Sequence, residues 1–215
     1  MQMKNFHLML RAGLLRNVIV TSLLGVLATA AQAQVSQNGV ISQTRNAIDN
    51  TPTSVSFGPE SVYVMTRPDL VFSGILDMKQ GGPTSLRLKN SITTKAGITT
   101  DRYEEFYKGI RVAHGGYTLT GRDGKVSFMT GNYYRPASDL AVTPSKSESE
   151  AFASALSFVG ASKYKWQNPV EEEYIKKLYH KSDTSYLPKG SLVWIEDMRD
   201  DKEDRKLHLA YSFDI

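Results

Sequence analysis

The dipeptide Asp123-Gly124 constrains this chain more than any other feature, because alternating apolar runs flank it on both sides. Asp and Gly accept the positive φ angles of a two-residue turn, so the flanks read as the arms of a β-hairpin. Tyr117 and Leu119 lie before the turn, and Val126 and Phe128 after it are their expected partners. Upstream, Leu86 and Leu88 alternate with Arg87 and Lys89. Arg102 to Tyr107 is aromatic at strand spacing, and Ile110 with Val112 is read as continuing that strand past Gly109. The spacing predicts an antiparallel meander over about 86–134. Ahead of it, Val62, Val64 and Met65 read as extended. Leu70, Val71, Ile75, Leu76 and Met78 after Pro68-Asp69 read as a short helix, with Gly81-Gly82-Pro83 ending it.

A second unit opens after Pro136. Ser145 to Glu148 and Ser147 to Glu150 each fit a capping box, in which a hydroxyl and a carboxylate satisfy free amides of a helix's first turn. Phe152, Ala155, Leu156 and Val159 then recur on one helical face, and Gly160 stops the helix. Strands are expected over Tyr174 to Tyr179, Leu192 to Ile195 and Leu207 to Ile215. On the last of these, Leu207, Leu209, Tyr211, Phe213 and Ile215 share a face. A helix followed by strands implies one helix lying across an antiparallel sheet. The chain stops on that apolar strand, which suggests a truncated reading frame.

The first 33 residues read differently. Lys4, Arg11 and Arg16 precede an apolar run over 18–28, and Ala31-Gln32-Ala33 follows. Such a run is well short of the roughly 20 residues a membrane-spanning helix needs. Basic, apolar and small-residue regions in that order make a secretory signal, with cleavage expected between Ala33 and Gln34. The mature protein is then secreted or periplasmic, with no membrane attachment. From 34 to 57 the chain is rich in Gln, Ser, Thr and Asn, which suggests a flexible lead-in. The chain holds 26 Lys and Arg against 22 Asp and Glu. Three of those bases lie in the signal and no acid does, so the mature charge is close to +1. That balance argues against a nucleic-acid partner.

Catalysis needs converging nucleophiles, bases or metal ligands. The chain has no cysteine, which removes thiol chemistry, thiolate metal sites and disulfides together. His7, His114, His180 and His208 are never three or four residues apart, so no H-E-x-x-H zinc motif exists. His114 before Gly115-Gly116 reads as a turn residue, and His208 falls on the outer face of its strand. No G-x-S-x-G elbow, P-loop or G-x-G-x-x-G fingerprint is present. Glu171-Glu172-Glu173 and the run Asp197 to Asp204 are acidic, but the second interleaves bases and lacks a glycine, and reads as a solvated hairpin tip. The chain is not expected to be an enzyme or to hold a cofactor.

Arg102-Tyr103-Glu104-Glu105-Phe106-Tyr107-Lys108-Gly109-Ile110-Arg111-Val112, then Gly115-Gly116-Tyr117 and Asp123-Gly124-Lys125-Val126, resembles the fungalysin/thermolysin propeptide (FTP) domain. That family's core reads approximately R-Y-Q-Q-x-Y-K-G-I-P-V, so Glu104 and Glu105 replace glutamines and Arg111 a frequent proline. The following residues, with Tyr186 to Val193 and Leu209 to Ile215, are similar to the PepSY domain of thermolysin-like proteases. The resemblance implies an α+β fold of two small cystatin-like units, each a helix packed on an antiparallel sheet, over 58–136 and 137–215. It implies a secreted pro-region that chaperones and inhibits a zinc metalloprotease catalytic domain, its partner. Zinc and calcium are expected only in that domain, not in this chain. The motif positions Arg102, Tyr103, Tyr107, Lys108, Gly109, Ile110 and Val112 are the candidate protease contacts, with sheet packing as their plainer reading. A free-standing protease inhibitor and a cystatin-like binding module are the alternatives.

Overall fold

The computed structural model describes residues 38–136, 139–196 and 204–215. The expected signal, its cleavage pair Ala33 and Gln34, and the acidic run from Asp197 to residue 203 lie outside them. The described chain is α+β. Its strands are β1 (Val40–Arg45), β2 (Pro52–Phe57), β3 (Thr84–Thr93), β4 (Ile98–Tyr107), β5 (Ile110–Arg122), β6 (Lys125–Asn132), β7 (Ser191–Glu196) and β8 (Leu207–Ser212). Its helices are α1 (Pro68–Leu76), α2 (Glu148–Val159) and α3 (Pro169–Tyr179), with a 3₁₀ turn at Lys165–Gln167.

All these strands form one sheet. Six run antiparallel in the order β1-β2-β6-β5-β4-β3, and β7 joins β5 in parallel with β8 beyond it. The Asp123-Gly124 turn closes β5 onto β6 with φ of 52° and 79°, as its residue types require. Its partners sit further along than expected: Leu119 faces Met129 and Tyr117 faces Gly131. Lys108-Gly109 makes the same kind of turn, φ 47° and 82°, with Tyr107 opposite Ile110. Ile110 and Val112 therefore begin a returning strand rather than prolong β4. The apolar positions shift from odd to even numbers there, which a two-residue reversal demands and a continuing strand forbids.

Four further expectations change. Residues 40–57 are a β-hairpin, not a loose lead-in: Val55 and Phe57 point into the core while hydroxyl side chains such as Thr44 and Ser54 face outward and bond each other. Val62 to Met65 is irregular apart from one bridge between Val64 and Lys125. The α1 helix starts on Pro68 but ends at Leu76, where Asp77 takes a left-handed φ of 56°, ahead of the glycine pair. Tyr174 to Tyr179 belongs to α3. Asn168 accepts from the Val170 amide, Pro169 opens the first turn, and Lys177 pairs with Glu173 one turn earlier. These local signals outweigh the strand propensity of the tyrosines. Of the acidic triplet, Glu171 and Glu172 fall in the first turn of that helix, where carboxylates meet the positive end of the helix dipole.

Two apolar cores lie along the sheet. The first packs Val71, Phe72 and Leu76 of α1 against Tyr103, Tyr117 and Leu119. The second gathers Tyr107, Val112, Tyr134, Trp194 and Leu207. Next to the second, α2 sets Phe152 against Phe213 at 5.1 Å, with Phe152, Ala155 and Leu156 of its expected apolar face half-buried and Val159 exposed. Of the two capping boxes, Ser147 with Glu150 forms. Ser147→Ala is expected to cost about 1 kcal/mol, read as a lower urea midpoint at unchanged slope. Among the described residues, no helix is long and apolar enough to cross a membrane.

Candidate functional site

The motif strand β4 presents alternate residues to opposite faces, and this divides its candidate positions. Tyr103 and Tyr107 point inward, Tyr103 edge-on to Phe72 at 5.0 Å and Tyr107 edge-on to Trp194 at 5.7 Å. On β5, Val112 is buried in the second core with Ile110 packed against it. Lys108 is exposed at the turn, where its ammonium donates to the Leu140 carbonyl at 2.8 Å, and Gly109 supplies the positive φ. The structure thus brings Tyr107, Lys108, Ile110 and Val112 together where Leu140, Trp194 and Leu207 pack, and leaves Arg102 on the opposite, outer face.

The inner face carries a polar seam between the two cores. Glu105 lies between Tyr103 and Tyr107 and is fully buried. One of its oxygens accepts the Tyr134 amide at 3.0 Å, and the other has no partner among the described residues. Burial pushes its carboxyl up to about 8, against the smaller opposing pulls of that amide and of the Arg205 charge. Space for it exists because Gly115 has no side chain: a Cβ there would lie 2.6 Å from the carboxyl.

Arg205, just before β8, holds the seam together. Its guanidinium reaches Asp49 at 2.8 Å, the Asn132 side chain at 2.7 Å and the Tyr133 carbonyl at 2.8 Å, and lies 4.2 Å above the Tyr134 ring. Its own amide donates to Glu196, which also accepts the Tyr134 hydroxyl. Burial raises the Asp49 carboxyl, but hydrogen bonds from Thr51 and the Arg205 charge outweigh it and hold the group below its ordinary value.

The outer face opens into a shallow groove of about 270 Å³. Its geometry comes from a bulge in β5. Glu104 faces Gly116 and Phe106 faces Arg111, so four residues, 112–115, stand opposite Glu105 alone. His114 sits in this bulge with φ 61°, inside the strand rather than in the expected turn. Gly116 (φ 147°) is required: a Cβ would lie 2.1 Å from the Tyr103 carbonyl oxygen. Lys89, Arg102, Arg111 and His114 line the groove around Glu104, which pairs with Lys89 at 2.7 Å. Arg87 lies just outside, 4.1 Å above the Phe106 ring.

Sequence reasoning singled out Arg102 as a candidate protease contact but neither Lys89 nor Arg111, nor Glu105, Arg205 and Asp49 as a network. The odd-to-even shift at Gly109 and the paired glycines 115–116 were the available signals for the groove. No described group of three or more His, Asp or Glu stands close enough to hold a metal ion.

Comparison with known proteins agrees with the motif. The fungalysin/thermolysin propeptide motif matches residues 84–133, a little under a quarter of the chain. The match spans β3 to β6 and closes on Tyr133, where the chain leaves the sheet. No curated protein matches the chain.

Proposed function

We propose that this chain is the secreted pro-region of a thermolysin-like zinc metalloprotease, an intramolecular chaperone and inhibitor of the catalytic domain, with the region over 137–215 as a PepSY-like partner of the motif-bearing sheet. The observation that carries this reading is the coincidence of the propeptide motif with the complete four-stranded meander. Two cores along one sheet support the two-part organisation. The physics of the role is mass action. A segment that binds the native form of the catalytic domain stabilises it, and covalent attachment supplies a high effective concentration, so modest affinity suffices to hold the cleft closed. Catalytic zinc and structural calcium belong to that partner on this reading.

The test is inhibition. The purified protein is titrated against a thermolysin-like protease with a fluorogenic peptide, and refolding of the denatured protease is followed in parallel. Dose-dependent inhibition or accelerated recovery of activity is expected. A folded chain that does neither overturns the reading.

A further inference from the structure

We propose that the outer-face groove at the β5 bulge is an anion-binding surface that receives a carboxylate-bearing segment of a protein partner. The inference rests on the pro-region reading only for which protein carries that segment.

Arg102 and Arg111 both line the groove, and neither side chain makes a hydrogen bond or ion pair with a described residue. Both stand on paired strands, Arg102 exposed and Arg111 half-buried, so two planar donor forks border the groove. Such forks match carboxylates bidentately. Gly116 and Gly131 also line the groove, and at each the neighbouring strand fills the place of a Cβ, so backbone alone forms the floor there. Glu104, the one carboxylate lining the groove, is already engaged by Lys89.

The clustering is not a by-product of general basicity. Arg87, Lys89, Arg102 and Arg111 against Glu104 give this face a charge of about +3, while the chain from residue 34 totals only about +1. The rest of that chain is therefore net negative in total, and the groove attracts an acidic segment. Its 270 Å³ suits a few residues rather than a long polyanion, and the surrounding charge balance would repel nucleic acid. Protein carboxylates are the occupant these features fit.

The probe is a fluorescein-labelled peptide of alternating Asp and Glu, followed by anisotropy against the full protein. Saturable binding is expected, weakening as NaCl rises from about 50 to about 300 mM because exposed charges are screened. The double reversal Arg102→Glu/Arg111→Glu should lower affinity at least tenfold with an unchanged unfolding midpoint. Should that variant not fold, Arg102→Gln/Arg111→Gln is expected to show a smaller loss of the same sign. Absence of saturable binding, or equal binding by a folded variant, overturns the inference. So does binding of heparin without binding of the peptide, which would mark a polysaccharide surface. Protease inhibition by the wild type is measured separately, and its absence counts against the pro-region alone.

Discussion

Glu105→Gln should stabilise the folded chain at pH 8 by on the order of 4 kcal/mol and flatten its pH dependence. The buried carboxyl titrates near 8 when folded and near its ordinary 4.5 when unfolded. Between those values the unfolded chain has released a proton that the folded chain retains, so stability falls as pH rises through this window. Below pH 4.5 both states are protonated and the penalty vanishes. Glutamine is neutral throughout and nearly isosteric with the protonated acid, so it abolishes the slope. Urea unfolding of both proteins from pH 5 to pH 9 checks this. Parallel curves would mean that Glu105 is not a titrating group of the folded state. The resemblance puts glutamine at this position, and the replacement would return the seam to that composition.

Arg205→Met is the second large effect. It keeps an apolar stem but removes the charge from a part-buried ion pair, leaving Asp49, the Asn132 side chain and the Tyr133 carbonyl without the guanidinium donor. Breaking one side of a fully buried pair costs about 3–5 kcal/mol, but Asp49 is part-buried and keeps its Thr51 bonds, so a smaller loss of about 2–3 kcal/mol is expected. Adding Asp49→Asn should recover part of that loss, since the double variant buries no unpaired carboxylate there. A denaturant series on the wild type, both single variants and the double variant measures the coupling. If the two losses are strictly additive, the pair contributes nothing as a pair.

What the sequence made legible were the local instructions. Asp123-Gly124, Pro68 and Ser147 to Glu150 announce their turn, helix start and cap within four residues. Some errors passed over local signals, as at Tyr174 to Tyr179 and at the Lys108-Gly109 turn, while others arose where the deciding partner is distant. Residues 40–57 read as loose because most of their side chains face solvent. Their place in the sheet is set by β6, more than 70 residues later, through pairs such as Val55 with Met129. Arg205 sits in a run that looks like solvated hairpin tip, and its partner Asp49 is 156 residues away. The groove is intermediate: Arg102 was visible on a strand, but a β-bulge re-aims side chains in a way no alternation pattern encodes.

The edge of β5 is used twice. β6 occupies it up to Gly116, then departs at Asn132, and β7 takes the vacated stretch at Arg111 and Val112. Among the described residues beyond 136 the strands are β7 and β8, and a lone two-stranded hairpin is marginal in water. Their third strand is borrowed. In a chain emerging from the ribosome amino end first, the meander can close as soon as β6 is out, whereas β7 must wait for that platform. The order of synthesis is also the order in which each half can find its footing, and an inverted gene order would deprive the later half of its template.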